Sequence, residues 1–463
     1  KTIMSLRAKV MRGGAYLAGR QGLGMVLSII SVFLVTRLIG PENYGLFVSA
    51  FGVFSYLQRI FQLGINFYLI REINPEEEPH NYHQGFTLML LLGILGLILG
   101  IITIPLLAQW IKIGNFSALA ISLFFSLPFV LCFQIPLAKL ERELNYKKVA
   151  MIELLNQCLY VLVSVYFAFQ GAGAWALVAA WWAQTLQSVV LFFWCSGYRP
   201  RLFWNLALVK DMLGYGITLS AAQWIFFLRD LVNPLLVGRF GGAEAVGFVA
   251  LAIRLVEVLS FVKHATWRIS MAALAKIQDN PPKLRWAITE GMSLQVLALG
   301  PILDVVAWTL PLIIGLAFGE RWRVALQVYP FIAWAYLTNS LFNLHSSTLY
   351  VLRKNTYVAL FHLLHVALFA GGAWLLLPKL GIVGYGWAEV IALPAYGLIH
   401  LFITKIIGSP DYRLALLWWA ACSLPLFVQQ LGMWTGFGLI FVILLPITRQ
   451  QIRSYWHSFQ HSS

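Results

Sequence analysis

Five cations sit inside long apolar runs of this chain: Arg20, Arg59, Arg229, Arg254 and Lys263. A charged side chain at the centre of a membrane span costs roughly 2.5–3.5 kcal/mol, so such groups normally face a bundle interior or a watery cavity. Guanidinium groups bind phosphate oxygens bidentately and stay charged when partly desolvated. Together the five predict a basic cavity suited to a phosphate-bearing anion. Polar neighbours support it. Ser55, Arg59, Gln62 and Asn66 are spaced four, three, four, which places them on one helical face, and Asn339, Asn343, Ser346 and Tyr350 repeat that spacing. Arg20, Ser28 and Ser31 lie close to one face with Gly24 between them, while Ser220, Gln223, Arg229, Asp230 and Asn233 follow in another run.

Plainer roles compete for some of these residues. Arg254 and Glu257, at i,i+3, read equally well as a neutralising intrahelical pair. Arg229 and Asp230 are adjacent, so on a helix they point about 100° apart. Lys263 and Arg268 are long enough to reach the membrane surface. Glu153, Asp304 and Glu389 fall near the ends of apolar runs, where an interfacial place is expected. His362 and His365 lack a third ligand nearby, and Cys132, Cys158, Cys195 and Cys422 show no metal or redox spacing, so no metal is expected. A phosphate-binding Gly-x-x-x-x-Gly-Lys-Ser/Thr sequence is absent, and no cofactor, ATP hydrolysis or nucleic-acid partner is expected.

The elements that carry these groups must be membrane helices. Of the 463 residues, 60% are hydrophobic and 11% charged, and the mean hydropathy is +0.77. Apolar runs of about 20 residues predict fourteen spans, with connections rarely above about fifteen residues. The basic start, with Lys1, Arg7, Lys9 and Arg12, leads into a full-length span and not into a short cleavable signal core. With the N-terminus in the cytoplasm, that side holds about 21 Lys and Arg, the other about 6 and the spans about 6, which sets both termini in the cytoplasm. The loop at 71–84, rich in Glu, is read as solvated. Pro105, Pro128, Pro136, Pro234, Pro311 and Pro394 lie within spans as kinks or hinges.

The chain also repeats. GPENYG at 40–45 returns 202 positions later as GAEAVG at 242–247. At an offset of about 210, LNYKKVA (144–150) answers KNTYVA (354–359), and GAGAWALVAA (171–180) answers GIVGYGWAEV (381–390). The expected architecture is all-α and polytopic: a six-helix half over 1–197, a cytoplasmic linker at 198–212, a second six-helix half over 213–406, and two extra helices with a cytoplasmic tail over 407–463. Six spans is an even number, so the halves enter the membrane in parallel and form a pseudo-repeat in which one rocks against the other. GYRPRLFWNLALVKDMLGYG (197–216) is expected to join them, as an interfacial amphipathic helix.

TRLIGPENYGLF (36–47), LGINFYLIRE (63–72), MLGYGITLSAAQW, LRDLVNPLLVGRFGGAEAVGFVALAIRL and LIIGLAFGERWRVALQV, in this order, resemble the polysaccharide-export branch of the multidrug/oligosaccharidyl-lipid/polysaccharide exporter superfamily, the O-antigen flippase-like proteins. The resemblance extends over essentially the whole chain. It implies a flippase of the bacterial inner membrane that moves a polyprenyl-pyrophosphate-linked oligosaccharide, an O-antigen or exopolysaccharide repeat unit, by alternating access and without bond chemistry. Arg20, Arg59, Gln62, Asn66, Gln223, Arg229, Arg254, Lys263, Asn339 and Asn343 are the candidate cavity residues. Hydroxyls, amides and aromatic faces there would take the sugars. Asp230, which matches a polar position common in the family, and Glu257 are candidates for proton or sodium coupling. The partners implied are the lipid-linked oligosaccharide, membrane lipids and a polysaccharide polymerase complex. A lipid II flippase and a multidrug exporter share the fold; a drug exporter is expected to have a more acidic or apolar cavity. A membrane glycan polymerase or ligase would need a sizeable extracytoplasmic loop, and every loop on that side is short.

Overall fold

The computed structural model describes residues 2–70, 78–260, 270–271, 273–451 and 453. These residues are nearly all helical and contain no β-strand. Nine helical stretches among them are long and apolar enough to cross a membrane, and large apolar side chains such as Leu106, Leu162, Phe169 and Trp194 point outward. A helix satisfies its backbone internally and so can offer such a surface to lipid. The protein is a multi-pass membrane protein.

The chain divides into two compact units, residues 1–248 and 249–463. The first holds α1 (Thr2–Gln62), α2 (Ile65–Ile70), α3 (Glu78–Ile111), α4 (Phe116–Phe125), α5 (Leu127–Cys132), α6 (Gln134–Arg142), α7 (Tyr146–Phe169), α8 (Trp175–Ser196) and α9 (Leu206–Phe227). The apolar part of α1, Gly19–Gln62, runs for 44 residues, far more than the roughly 20 that span a bilayer. Gly40 breaks it. Its φ of 78° with ψ of 170° is open to glycine alone, and Pro41 then starts a fresh helix. Gly242, the matching position of the second motif, has φ 74° and ψ −174° inside α10 (Gly238–Leu259). The core of this unit is aromatic: Trp181 packs edge-on to Phe51 and Phe54, and Phe54 meets Phe124 in the same way.

Of the segment 197–216 expected as an amphipathic helix, residues 198–205 are a non-helical strap, while 206–216 are helical. Asn205 starts α9 as its N-cap, its side-chain oxygen accepting from the amides of Ala207 at 2.9 Å and Leu208 at 3.2 Å, so 206 onward already belongs to the next helix. Three bonds pin the strap to α3: Tyr198 Oη donates to the Tyr82 carbonyl (3.1 Å), the Phe203 amide to Thr87 Oγ1 (3.0 Å) and the Asn205 amide to Gln84 Oε1 (2.6 Å).

The second unit contains α11 (Pro281–Ile313), α12 (Tyr329–Val351), α13 (Asn355–Leu380), α14 (Ile382–Ala392), α15 (Ala395–Ile407), α16 (Arg413–Ser423), α17 (Val428–Leu431) and α18 (Gly436–Leu444). Leu284, Ile288, Leu344, Phe361, Ile399 and Ile403 form one of its cores. Two carboxyl groups expected at the interface are buried instead: Asp304 is 3% exposed and Glu389 0%. Their helix faces decide this. Glu389 shares a buried face with Tyr385, Ala388 and Ala392, and Asp304 lies on the stripe of α11 that includes Leu303, Ala307 and Leu310.

Candidate functional site

Arg59 lies near the end of α1, where the helix stops because Leu63 and Gly64 turn left-handed, with φ of 48° and 62°. The guanidinium is held from two directions. Its Nη1 is 3.1 Å from Asp230 Oδ2, and its central carbon lies 3.8 Å from the centroid of the Phe227 ring. Trp224 Nε1 donates to the Arg59 carbonyl at 3.2 Å, fixing the backbone beneath the charge. A side chain at position 216 would overlap the Leu63 carbonyl oxygen, so Gly216 lets α9 pass close to the turn that ends α1.

The presentation of Asp230 follows from a local loss of α-helical bonding. Residues Leu228–Leu231 form a 3₁₀ turn and Asn233–Val237 a π-helical turn, around Pro234, which has no N–H to donate. Asn233 is buried there, its side-chain amide donating to the Val246 carbonyl at 3.4 Å. Gly52 gives Pro234 room: a Cβ at that position would stand 3.0 Å from the ring.

Arg59 opens on a cleft of about 240 Å³. Gln62, Asn66, Ser220 and Gln223 supply amides and a hydroxyl to its wall, and Phe67, Trp224 and Phe227 supply aromatic faces. The ion pair is half exposed, at 37% for Arg59 and 50% for Asp230. An exposed pair of this kind contributes at most about 1 kcal/mol. Its two charges can therefore be separated by an incoming anion at small cost.

The predicted cavity residues do not all gather here. Arg59, Gln62, Asn66 and Gln223 line the cleft, with Asp230 bonded to Arg59. Arg229 is half-buried in the same 3₁₀ turn but does not line it. Arg20 does not line it either. Its Nε is 3.0 Å from Glu153 Oε2 of α7, and Gln157 one turn on donates to the Gly24 carbonyl (2.6 Å) and to Ser28 Oγ (2.9 Å). Glu153 is thus the ion-pair partner of Arg20 across α1 and α7, and the spacing Glu153, Gln157, Ser164 puts it on one polar face of α7. In the second unit Arg254 and Glu257 form an intrahelical pair at 3.6 Å. Asn339 Nδ2 donates to Tyr396 Oη at 2.9 Å, and Asn343 Nδ2 to Gln295 Oε1 at 3.4 Å. Asn339, Asn343, Ser346 and Tyr350 are half-buried while most of their neighbours on α12 are buried, so the predicted stripe is a continuous semi-exposed face. Lys263, His264 and Arg268 lie outside the described residues. Among the described residues no group of three or more metal-ligating side chains converges, and His365 packs edge-on to Phe361 and Tyr396.

Outside the spans, burial pushes the Tyr198 and Tyr412 hydroxyls above the usual phenol range. Hydrogen bonds from Arg413 hold Asp411 below the usual carboxylate range.

Known proteins match this chain in both sequence and fold. It is 25% identical over 335 residues to the lipopolysaccharide biosynthesis protein WzxC of Escherichia coli, covering 70% of this chain and 66% of that one. The succinoglycan biosynthesis transport protein ExoT of Rhizobium meliloti is 22% identical over 311 residues, 66% of this chain and 62% of ExoT. Those matches therefore span just under two thirds of either relative. A putative O-antigen transporter of Shigella flexneri is 20% identical over 397 residues, which cover 81% of this chain and 94% of the transporter. Among solved structures, the lipid II flippase MurJ in an inward closed conformation superposes with a TM-score of 0.70 at 11% identity, covering 97% of this chain and 99% of MurJ. An inward-facing multidrug resistance MATE family transporter gives 0.63 at 15% identity, over 83% of this chain and 98% of that transporter. Residues 34–327, well over half of the chain, match the family described as polysaccharide biosynthesis protein, and the chain belongs to that family.

Proposed function

We propose that this protein is a flippase that carries a polyprenyl-pyrophosphate-linked oligosaccharide from the cytoplasmic to the outer leaflet of the bacterial inner membrane. It does so by alternating access and without bond chemistry. The observation that carries this reading is Arg59, stacked on Phe227 and lightly paired with Asp230 at the wall of a polar cleft among apolar helices. The pyrophosphate displaces Asp230 from the guanidinium, which binds it bidentately. Gln62, Asn66, Ser220 and Gln223 bond the first sugars, and the faces of Phe67 and Trp224 stack on them. The polyprenyl tail stays in the bilayer.

The architecture we assign has fourteen spans in two parallel six-span halves plus two C-terminal spans, with both termini in the cytoplasm. Shared backbone angles at Gly40 and Gly242 support the repeat. Asp230, protonated or sodium-bound when it leaves Arg59, is the coupling group, and Glu257 beside Arg254 is a second acid–base pair of the same kind. Arg20 stays a structural partner of Glu153. Relatives named for lipopolysaccharide, succinoglycan and O-antigen support a glycan as the cargo; a polysaccharide polymerase is the partner that would receive it.

The test is reconstitution in proteoliposomes with a fluorescent polyprenyl-pyrophosphate oligosaccharide, lipid II and a small amphiphilic cation offered in parallel. Protein-dependent leaflet exchange of the oligosaccharide lipid supports the proposal. Exchange of lipid II alone, or efflux of the cation alone, replaces it with one of the other two activities compatible with this fold.

A further inference from the structure

Apart from the Arg59 cleft, a second cavity of about 350 Å³ lies where the end of α8 meets the start of α3. Lys139, Arg199 and Arg201 bring three cations to it, around Tyr82, His83 and Tyr198. Among the described residues its lining contains no carboxylate; Glu143, just past the end of α6 and 3.9 Å from Lys139, is half exposed. Three like charges around one concave space repel each other unless an anion shares it.

The geometry of the cations is built and not incidental. Gly197 ends α8 in the left-handed conformation and starts the strap that carries both arginines. Lys139 Nζ donates to the Ser196 carbonyl at 3.2 Å, at the same helix end. Tyr198 is buried beneath, 7% exposed, with its hydroxyl on the Tyr82 carbonyl and 3.1 Å from His83 Nδ1. The bonds of Phe203 and Asn205 to α3 hold the rest of the strap. Next to the arginines the strap turns two large apolar side chains outward, Leu202 at 74% exposure and Trp204 at 55%. Exposed Trp and Leu beside Arg is the composition of a segment lying at a membrane–water interface.

We propose that this pocket binds the phosphate headgroup of an anionic phospholipid, with Leu202 and Trp204 lying in the lipid beside it. Basic pockets between membrane helices hold such headgroups. Arg199 and Arg201 grip the phosphate, Lys139 adds a point charge, and the volume accommodates the attached glycerol. The site is separate from the transport cleft, so lipid binding here does not depend on which cargo is moved.

Native mass spectrometry of the full chain, released from micelles doped with phosphatidylglycerol or with phosphatidylcholine, tests this. The protein retains phosphatidylglycerol in preference, and Arg199→Gln with Arg201→Gln weakens retention by roughly fivefold or more per arginine. Adding Lys139→Gln weakens it further, whereas Arg239→Gln, on another helix, leaves it unchanged. The double variant replaces exposed side chains only, and its unchanged elution and helical content show that the fold is intact. Equal retention of the two lipids, or no change in the double variant, overturns the proposal. Displacement of phosphatidylglycerol by low-millimolar inorganic phosphate overturns it in favour of a soluble anion.

Discussion

Gly45 and Gly247 meet as equivalent partners. A side chain on Gly45 would overlap the carbonyl oxygen of Ala243, and one on Gly247 would overlap that of Pro41. Ala243 and Pro41 each follow the positive-φ glycine that opens its own motif, Gly242 and Gly40. The two copies of Gly-x-Glu-x-x-Gly therefore pack on each other reciprocally, each last glycine lying against the other copy's first peptide. The first glycine of a motif supplies the turn and the last supplies the close approach.

Gly45→Ala and Gly247→Ala are expected to destabilise the protein by about 1–3 kcal/mol each, since a methyl group is forced against backbone that cannot rotate away. Gly371→Ala, in a helix with open space around it, is expected to be neutral or slightly stabilising, because alanine favours the helix. Thermal unfolding in detergent, followed by intrinsic fluorescence, compares the three. Equal melting temperatures would show that the reciprocal contact carries no strain.

At Gly40 and Gly242 the reason for glycine differs, because nothing lies within 4 Å of either added Cβ. Alanine is penalised there by the backbone alone. Gly242→Ala is expected to cost about 1–2 kcal/mol, and D-alanine introduced at 242 by semisynthesis restores stability. A D-residue no better than the L-residue would contradict this assignment.

Asp230→Asn removes the competitor for Arg59 while keeping the side chain's shape. Headgroup binding is expected to hold or tighten and turnover to fall, with its proton or sodium dependence lost. Exchange rates measured across imposed gradients decide it; unchanged ion dependence would remove Asp230 from the coupling role.

Glu153→Gln leaves Arg20 without its 3.0 Å partner in a largely apolar helix pair. The loss is expected to be of order 1–3 kcal/mol in stability, partly recovered by Arg20→Gln in the same chain. A double-mutant cycle in melting temperature measures the coupling, and an additive result would mean that the pair is incidental.

The Asp411 carboxyl is held below its ordinary range by hydrogen bonds from Arg413. A lowered folded-state value stabilises the fold above the ordinary carboxylate range, and that contribution is lost as pH falls through the lowered value. Between roughly pH 4 and 3, wild type is therefore expected to lose a little more stability than Asp411→Asn. The group is exposed, so the difference is small; parallel pH–stability curves would contradict it.

Much of the membrane fold was legible because its signals are strong ones: apolar length, proline and glycine at turns, and three-four spacing of polar groups within spans. The Ser55–Asn66 stripe was readable for that reason, and the structure lines the cleft with its last three members. The contacts that are not legible join partners far apart in sequence. The spacing Glu153, Gln157, Ser164 marks a polar face of α7 but not Arg20 as its partner, and nothing local marks Phe227 and Trp224 as supports of Arg59. Asp304 and Glu389 looked interfacial from their distance to the ends of apolar runs, but burial is set by which face of a helix meets its neighbour. The mixture of polar and apolar residues over 197–216 suits an amphipathic helix throughout. The Asn205 cap begins α9, so 206–216 is helical and only 198–205 departs from that pattern.

The proposed role of Arg59 is to bind the diphosphate of a lipid-linked sugar. The most direct measurement is leaflet exchange in proteoliposomes of matched polyprenyl-linked oligosaccharides carrying a pyrophosphate or a monophosphate, with wild type, Arg59→Lys and Arg59→Ala. Wild type is expected to exchange the pyrophosphate lipid faster, with a partial loss of that preference in Arg59→Lys, which keeps the charge but not the bidentate fork, and its complete loss in Arg59→Ala. Equal exchange of both lipids by all three proteins would contradict it and return Arg59 to a purely structural place beside Asp230 and Phe227.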